Sequence, residues 1–175
     1  MDNLYRLVRD IPDFPKAGIL FRDITPLLQD AAAFRTAVDG MAASFSGHRV
    51  TKVVAVESRG FVLGAPVALA LGAGLVLVRK PGKLPAATRS ASYALEYGTD
   101  TLEMHADALQ PGDRVLVVDD VLATGGTAAA VFDLVGQAGA RLVGLSLLIE
   151  LADLGGRSRL GDRAPVVALL TYPRH

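Results

Sequence analysis

The chain has 175 residues, 51% of them hydrophobic, with 18 basic and 18 acidic side chains and formal net charge zero. That length buries one sizeable core, and the apolar content excludes a disordered chain. The balanced charge argues against a broad nucleic-acid footprint, and the absence of Cys excludes disulfides, cysteine-ligated metals and a thiol nucleophile.

The N-terminus MDNLYRLVRD lacks the layout of a signal peptide, and runs such as Gly144–Ile149 are too short to cross a bilayer, so a cytoplasmic protein without membrane contact is expected. Leu4, Leu7 and Val8 sit at helical spacing and predict a short helix ended by Ile11-Pro12. Pro12–Pro26 is rich in Pro and Gly but carries Ile19, Leu20 and Phe21, which makes it an ordered arm and not a linker. Asp30 caps a predicted helix whose apolar face is Phe34, Ala37, Val38, Met41, Ala42 and Phe45, closed by Gly47.

Buried strands and helices then alternate. Val53–Val56 and Leu75–Val78 read as strands around a helix with small residues Gly64, Ala65 and Ala68 on one face. Pro81–Arg89 is a loop. Ser92–Tyr97 and Thr101–His105 flank Gly98-Thr99-Asp100 as a hairpin, and Pro111-Gly112-Asp113 is a turn. Val115–Val118 is a strand, followed by a helix with inner stripe Val131, Leu134, Val135 and Ala138, stopped by Gly139. Leu142–Ile149 and Val166–Leu170 complete the pattern. The fold class is α/β: an open, mostly parallel twisted sheet covered by helices on both faces, with an antiparallel hairpin excursion.

In such sheets ligands bind beyond the C-terminal strand ends. After Val118 come Asp119-Asp120 and then Ala123-Thr124-Gly125-Gly126-Thr127, leading into a helix. Small residues let backbone N–H groups approach an anion, the helix N-terminus adds partial positive charge, and each charge-assisted hydrogen bond is worth roughly 1.5–3 kcal/mol. Two carboxylates beside a bound phosphate make sense if they accept bonds from sugar hydroxyls or face Mg²⁺, so the ligand is read as a phosphorylated ribose. The sequence lacks G-x-x-x-x-G-K-[ST] and G-x-G-x-x-G, which argues against a P-loop NTPase and a nicotinamide site. Glu57-Ser58-Arg59-Gly60 is a second strand-to-helix turn, fit for another anion or simply a helix start capped by Ser58. Arg79, Lys80, Lys83 and Arg89 suit a polyanion covered during reaction, or are solvated surface. His48, His105 and His175 have no metal spacing.

VVDDVLATGGT resembles the phosphoribosyl diphosphate (PRPP) motif of type I phosphoribosyltransferases. IPDFPKAGILFRDITPLL, ESRGF, RKPGKLP and YALEYGTDTLEMH narrow the resemblance to the branch acting on adenine, with Ala17 where many relatives have Pro. The resemblance implies transfer of the 5-phosphoribosyl group from PRPP to adenine, giving AMP and diphosphate, with Mg²⁺ as cofactor and a homodimer as the assembly. It implies one domain over 1–175, with a hood over 1–35 and a core over 36–175 that carries a flexible loop at 81–92. Ala123, Thr124, Gly125, Gly126 and Thr127 would hold the 5′-phosphate. Asp119 and Asp120 would meet the ribose hydroxyls and, through water, the metal. Glu57, Ser58 and Arg59, with a cis peptide at Glu57–Ser58, and Arg79, Lys80 and Lys83 would face diphosphate, partly across the dimer interface. Glu96 would be the proton donor, with Arg59 as the second catalytic group. Phe21, Arg22, Ile24 and Tyr97 would surround adenine, the hood acting mostly through its backbone. Two alternatives remain open: a transferase for xanthine, hypoxanthine-guanine or orotate, and a non-enzymatic regulator built on the same fold.

Overall fold

The computed structural model describes residues 2–94 and 98–173. In chain order the elements are α1 (Asp2–Arg6), β1 (Arg9–Ile11), β2 (Phe21–Asp23), α2 (Thr25–Gln29), α3 (Ala31–Ala43), β3 (Lys52–Val56), α4 (Arg59–Leu71), β4 (Gly74–Arg79) and β5 (Thr88–Ala94). They continue with β6 (Thr99–His105), β7 (Arg114–Leu122), α5 (Gly126–Gln137), β8 (Arg141–Leu151), α6 (Gly156–Leu160) and β9 (Val166–Tyr172). The main sheet has order β5-β6-β4-β3-β7-β8-β9. Its β4, β3, β7, β8 and β9 pair in parallel, while β6 pairs antiparallel with β4 and β5. β1 and β2 form a separate antiparallel pair, Arg9 opposite Asp23.

Strand alternation sends side chains to two cores. Val115 and Val117 of β7 join Val54, Val131, Leu134, Val135 and Leu145 beneath α5. Leu116 and Val118 face the other way, among Ala37, Met41, Leu63 and Val67 of α3 and α4, with Leu4, Ile24 and Leu27 closing that side. Each fully buried Leu or Val stabilises by about 1.5–3 kcal/mol. Asp30 caps α3 as expected, accepting from Ala32 N at 3.0 Å and Ala33 N at 2.9 Å. The small face of α4 lets it approach β3 so closely that a Cβ on Gly64 would lie 2.5 Å from Ala55 Cβ.

Several expectations need correction. α3 ends at Ala43 and a 3-10 turn follows over Ser46–His48, so Gly47 is not its stop; the left-handed residue is Arg49, φ 51°. The arm at 12–26 is ordered, but it also contributes β2 and the start of α2, elements too short to show periodicity. β7 continues through both aspartates to Leu122, held by Val121 and Leu122 pairing with Ile149 and Glu150 of the long β8. The expected loop at 81–92 is shorter, because Thr88–Ser92 already pair with Thr101–His105. Finally, the sheet is not covered throughout: Leu75 and Leu77 of β4 are 41% and 39% exposed.

Candidate functional site

The ends of β3, β4 and β7 and the start of α5 converge where the sheet order reverses about β3, the position at which open α/β sheets bind ligands. A cleft of about 130 Å³ lies there, lined by Asp119, Thr124–Thr127 and, from the hairpin, Tyr93. Gly125 precedes α5 with φ +79°. Two close approaches require glycine: a Cβ at Gly125 would lie 2.7 Å from Gly156 O, and one at Gly126 would lie 2.7 Å from Tyr93 Cδ2. Thr127 Oγ1 donates to Tyr93 OH at 3.2 Å. Small residues, threonine hydroxyls and the positive end of a 12-residue helix together form an anion cradle.

Asp119 and Asp120 alternate across β7. Asp119 lines the cleft, its Oδ1 accepting from Asp120 N at 2.9 Å and sitting 2.8 Å from where a Gly60 Cβ would be. Burial, and then the adjacent Asp120 carboxylate, push the Asp119 carboxyl well above the usual carboxylate range. Asp120 is 6% exposed and ion-paired to Arg59, Nε to Oδ2 at 2.5 Å. The approach is not aligned as a hydrogen bond, so Asp120 Oδ2 has no hydrogen-bond partner among the described residues.

The Glu57–Ser58 peptide is cis, as expected. Ser58 makes no side-chain cap on α4, which removes the simple helix-start reading of this turn. Glu57 is engaged by its own neighbours: it accepts from Arg79 Nε at 3.3 Å and Nη2 at 3.1 Å and from Lys80 N at 3.0 Å. The Arg79 bonds, first, and the Lys80 amide hold its carboxyl below the usual range. Arg79 Nη1 also donates to Lys83 O at 3.1 Å, anchoring the start of the loop. Lys80 Nζ pairs with Asp100 Oδ2 at 2.8 Å, and Tyr93 OH donates to the same oxygen at 3.2 Å. A chain of polar contacts thus runs from the basic strand end to the anion cradle. Lys83 is exposed. Arg89 is not a loop cation: it lies in β5 and donates to Ala106 O and to Gln137 O at the carbonyl end of α5.

Among the hood residues, Phe21 reaches the site, with the Arg59 guanidinium 5.0 Å from its ring centre. Arg22 is buried, paired with Asp10 and stacked 4.0 Å over the Tyr172 ring. Ile24 is 1% exposed in the core. Their side chains serve the fold, which leaves the arm's backbone for any ligand. Glu96 and Tyr97 lie outside the described residues, between Ala94 and Gly98 of the hairpin. Sequence reasoning missed Tyr93, Asp100 and α6. Alternation of Arg89, Ala91 and Tyr93 along β5 was a usable signal for the first, but nothing local marks the other two.

Among the described residues no three His, Cys, Asp or Glu side chains converge as a metal cage, and no helix is long and apolar enough to cross a membrane. Residues 27–171 match the model of the phosphoribosyl transferase domain family. The chain is 62% identical over 153 residues to an adenine phosphoribosyltransferase of Acidothermus cellulolyticus, covering 87% of this chain and 86% of that one. It is similar to the crystal structure of the adenine phosphoribosyltransferase from Rhodothermus marinus, with TM-score 0.94 and 52% identity over 98% and 97% of the two chains. The Saccharomyces cerevisiae enzyme, complexed with an imino-altritol bisphosphate and adenine, matches with TM-score 0.91 and 40% identity over 97% of each chain.

Proposed function

The chain belongs to the phosphoribosyltransferase family, with the adenine phosphoribosyltransferases, and from that premise we infer how its residues divide the work of the reaction. The enzyme transfers the 5-phosphoribosyl group of PRPP to adenine, giving AMP and diphosphate. The observation that carries the site assignment is the cradle at Ala123–Thr127 beside two carboxylates, at the meeting point of β3, β7 and α5.

The cradle's N–H groups and Thr hydroxyls take the 5′-phosphate. Asp119 and Asp120 accept from the ribose hydroxyls. Arg59 stands 2.5 Å from Asp120 and is partly exposed, so a diphosphate entering the site competes for its guanidinium. Arg79 is held at its post by Glu57 and faces the same anion with Lys80 and Lys83. The Glu57 carboxylate thereby positions Arg79 beside the diphosphate loop of Glu57, Ser58 and Arg59.

The donor set fits Mg²⁺. This ion keeps several waters and binds through one or two carboxylates plus substrate phosphates, without an all-protein cage, and the buried Asp120 Oδ2, ion-paired to Arg59, has no hydrogen-bond partner among the described residues. Asp119 and Asp120 would hold it through water. When bound, it neutralises charge on the departing diphosphate. The protein's own cations add to that stabilisation, and displacement by the adenine N9 inverts the anomeric carbon. Glu96 is assigned as proton donor to the adenine ring at a nitrogen other than N9, while the N9 proton leaves with the diphosphate as the new C–N bond forms. Tyr97 is assigned as its neighbour, with the hood (residues 1–35) closing over the base through its backbone. Closure of the hairpin and of the loop after β4 excludes water, which would otherwise hydrolyse PRPP.

A homodimer and a cytoplasmic location complete the proposal. The first is supported by the uncovered apolar face of β4; the second by a substrate too highly charged to cross membranes unaided. Incubation with PRPP, Mg²⁺ and a panel of nucleobases tests the reading: AMP forms from adenine, and chelation of the metal stops it. Formation of IMP, GMP, XMP or OMP in preference to AMP would overturn the base assignment.

A further inference from the structure

The short helix α6 sits against the phosphate cradle in a way the reaction as described does not use. A Cβ on Gly156 would lie 2.3 Å from Ala123 O and 2.9 Å from Leu122 Cγ, and a Cβ on Gly125 would lie 2.7 Å from Gly156 O. Two glycines, one on each side, therefore let α6 press directly on the turn. The helix is also tied down from below. Arg157 donates to Glu150, buried at the end of β8, through Nε at 2.9 Å and Nη2 at 2.5 Å, and to Val166 O at 2.7 Å. Two residues on, Arg159 is carried over the N-terminus of α5. Its Nη1 lies 3.4 Å from the position a Gly126 Cβ would occupy, and its Nη2 reaches Ala94 O of the hairpin at 3.5 Å.

This placement sets two positive charges side by side. The N-terminus of α5 is a partial positive charge, and a guanidinium beside it repels it unless an anion lies between them. No carboxylate among the described residues forms an ion pair with Arg159, whereas Arg157 and Arg163 each have one. The feature that makes the geometry favourable is a phosphate seated in the cradle, which the helix N-terminus and the guanidinium then hold from two directions.

We propose that Arg159 is a binding residue for the 5′-phosphate of PRPP and AMP, delivered to the cradle by the Gly125–Gly156 contact and the Glu150–Arg157 ion pair. The assignment rests on the reading of Ala123–Thr127 as the 5′-phosphate site. It assigns the exposed Arg159 of α6 a role at one end of the substrate only, the end opposite the diphosphate.

The test compares Arg159→Gln, Arg159→Lys and Thr127→Val with the wild-type enzyme. Each is assayed for KM of PRPP and of adenine, for kcat, and for inhibition by ribose 5-phosphate and by inorganic diphosphate. Arg159→Gln is expected to raise the PRPP KM and weaken ribose 5-phosphate inhibition about tenfold, with adenine KM, kcat and diphosphate inhibition within about twofold. Arg159→Lys restores most of the loss, because the charge is kept. If Arg159→Gln leaves ribose 5-phosphate inhibition unchanged while Thr127→Val weakens it, the cradle reading stands and the role of Arg159 is overturned. If neither substitution changes it, the cradle reading itself fails, and this proposal with it. Equal weakening of ribose 5-phosphate and diphosphate also overturns the proposal, since the effect is then general and not local to the cradle.

Discussion

Gly60 sets the separation between the first turn of α4 and the carboxylate pair of β7. A Cβ there would stand 2.8 Å from Asp119 Oδ1 and 3.2 Å from Val118 O, and the second of these is backbone that cannot rotate away. Gly60→Ala therefore displaces the Asp119 side chain. The expected result is a rise of about tenfold in PRPP KM with little change in adenine KM, read from initial rates at saturating partner substrate. Glu57 supplies a second test, this time through pH. Its carboxyl is held below the usual range by Arg79, so in the folded protein it stays charged to lower pH than in the unfolded chain. The stabilisation is present above the ordinary carboxylate value and is lost as pH falls through the depressed one. Glu57→Gln should lower unfolding free energy by roughly 1–2 kcal/mol at neutral pH, the pair being partly exposed. In acid, where Glu57 itself is protonated, the two proteins should converge in urea denaturation; a difference that persists there would mean that packing and not charge is at work. The site's chemistry was readable in the residues because the cradle and the acid pair are contiguous in sequence. The engagement of Glu57 by Arg79, 22 positions away, was not, since long-range pairing leaves no local pattern.

At the scale of elements, the contact between α4 and β3 is a tight support under the site. Gly64 faces Ala55, with only 2.5 Å available for a Cβ. Gly64→Ala gains helix propensity of about 1 kcal/mol, but overpacking a helix on a central strand costs about 1–3 kcal/mol. Because the clash is with a Cβ and not with a flexible side-chain end, the second effect wins, and net destabilisation in urea unfolding is the expected outcome. The small-residue face of this helix was visible in the sequence, as were β3, β7, β8 and β9, because buried parallel strands are continuous apolar runs. What escaped notice shares a physical character. β1 and β2 have three residues each, and α2 and α6 five each, too few for any periodicity to develop. The extension of β7 through Asp119 and Asp120 escaped for another reason: two charged residues look like a strand end, yet the ladder to β8 carries them along.

For the whole molecule, α1 and β2 are joined to β9, and a face of β4 and α4 is left apolar among the described residues. Tyr5 OH donates to Thr171 O and accepts from Thr171 N, while Arg22 stacks on Tyr172, so the N-terminal arm is fastened to the last strand. On the far edge of the parallel strands, Leu75 and Leu77 alternate on β4, and Val62 and Leu69, two helical turns apart, mark a stripe of α4. Their exposures, 41%, 39%, 44% and 82%, are high for large aliphatic residues. The Leu75 side chain comes within 3.8 Å of the Gly64 Cβ position, which makes strand and helix parts of one surface. Such a face next to Arg79, Lys80 and Lys83 is what the expected homodimer needs, since these cations then stand beside the interface. Covering four aliphatic side chains contributes about 1.5–3 kcal/mol for each one fully buried, and a charge placed among them reverses the balance. Leu69→Glu combined with Leu77→Glu should therefore give a folded monomer in sedimentation, with unchanged far-UV circular dichroism. If the proposed homodimer forms here, its PRPP KM should rise more than its adenine KM, because the basic strand end then stands at the interface that the charges disrupt. A double variant that sediments as the wild type does would show that this face is not the interface.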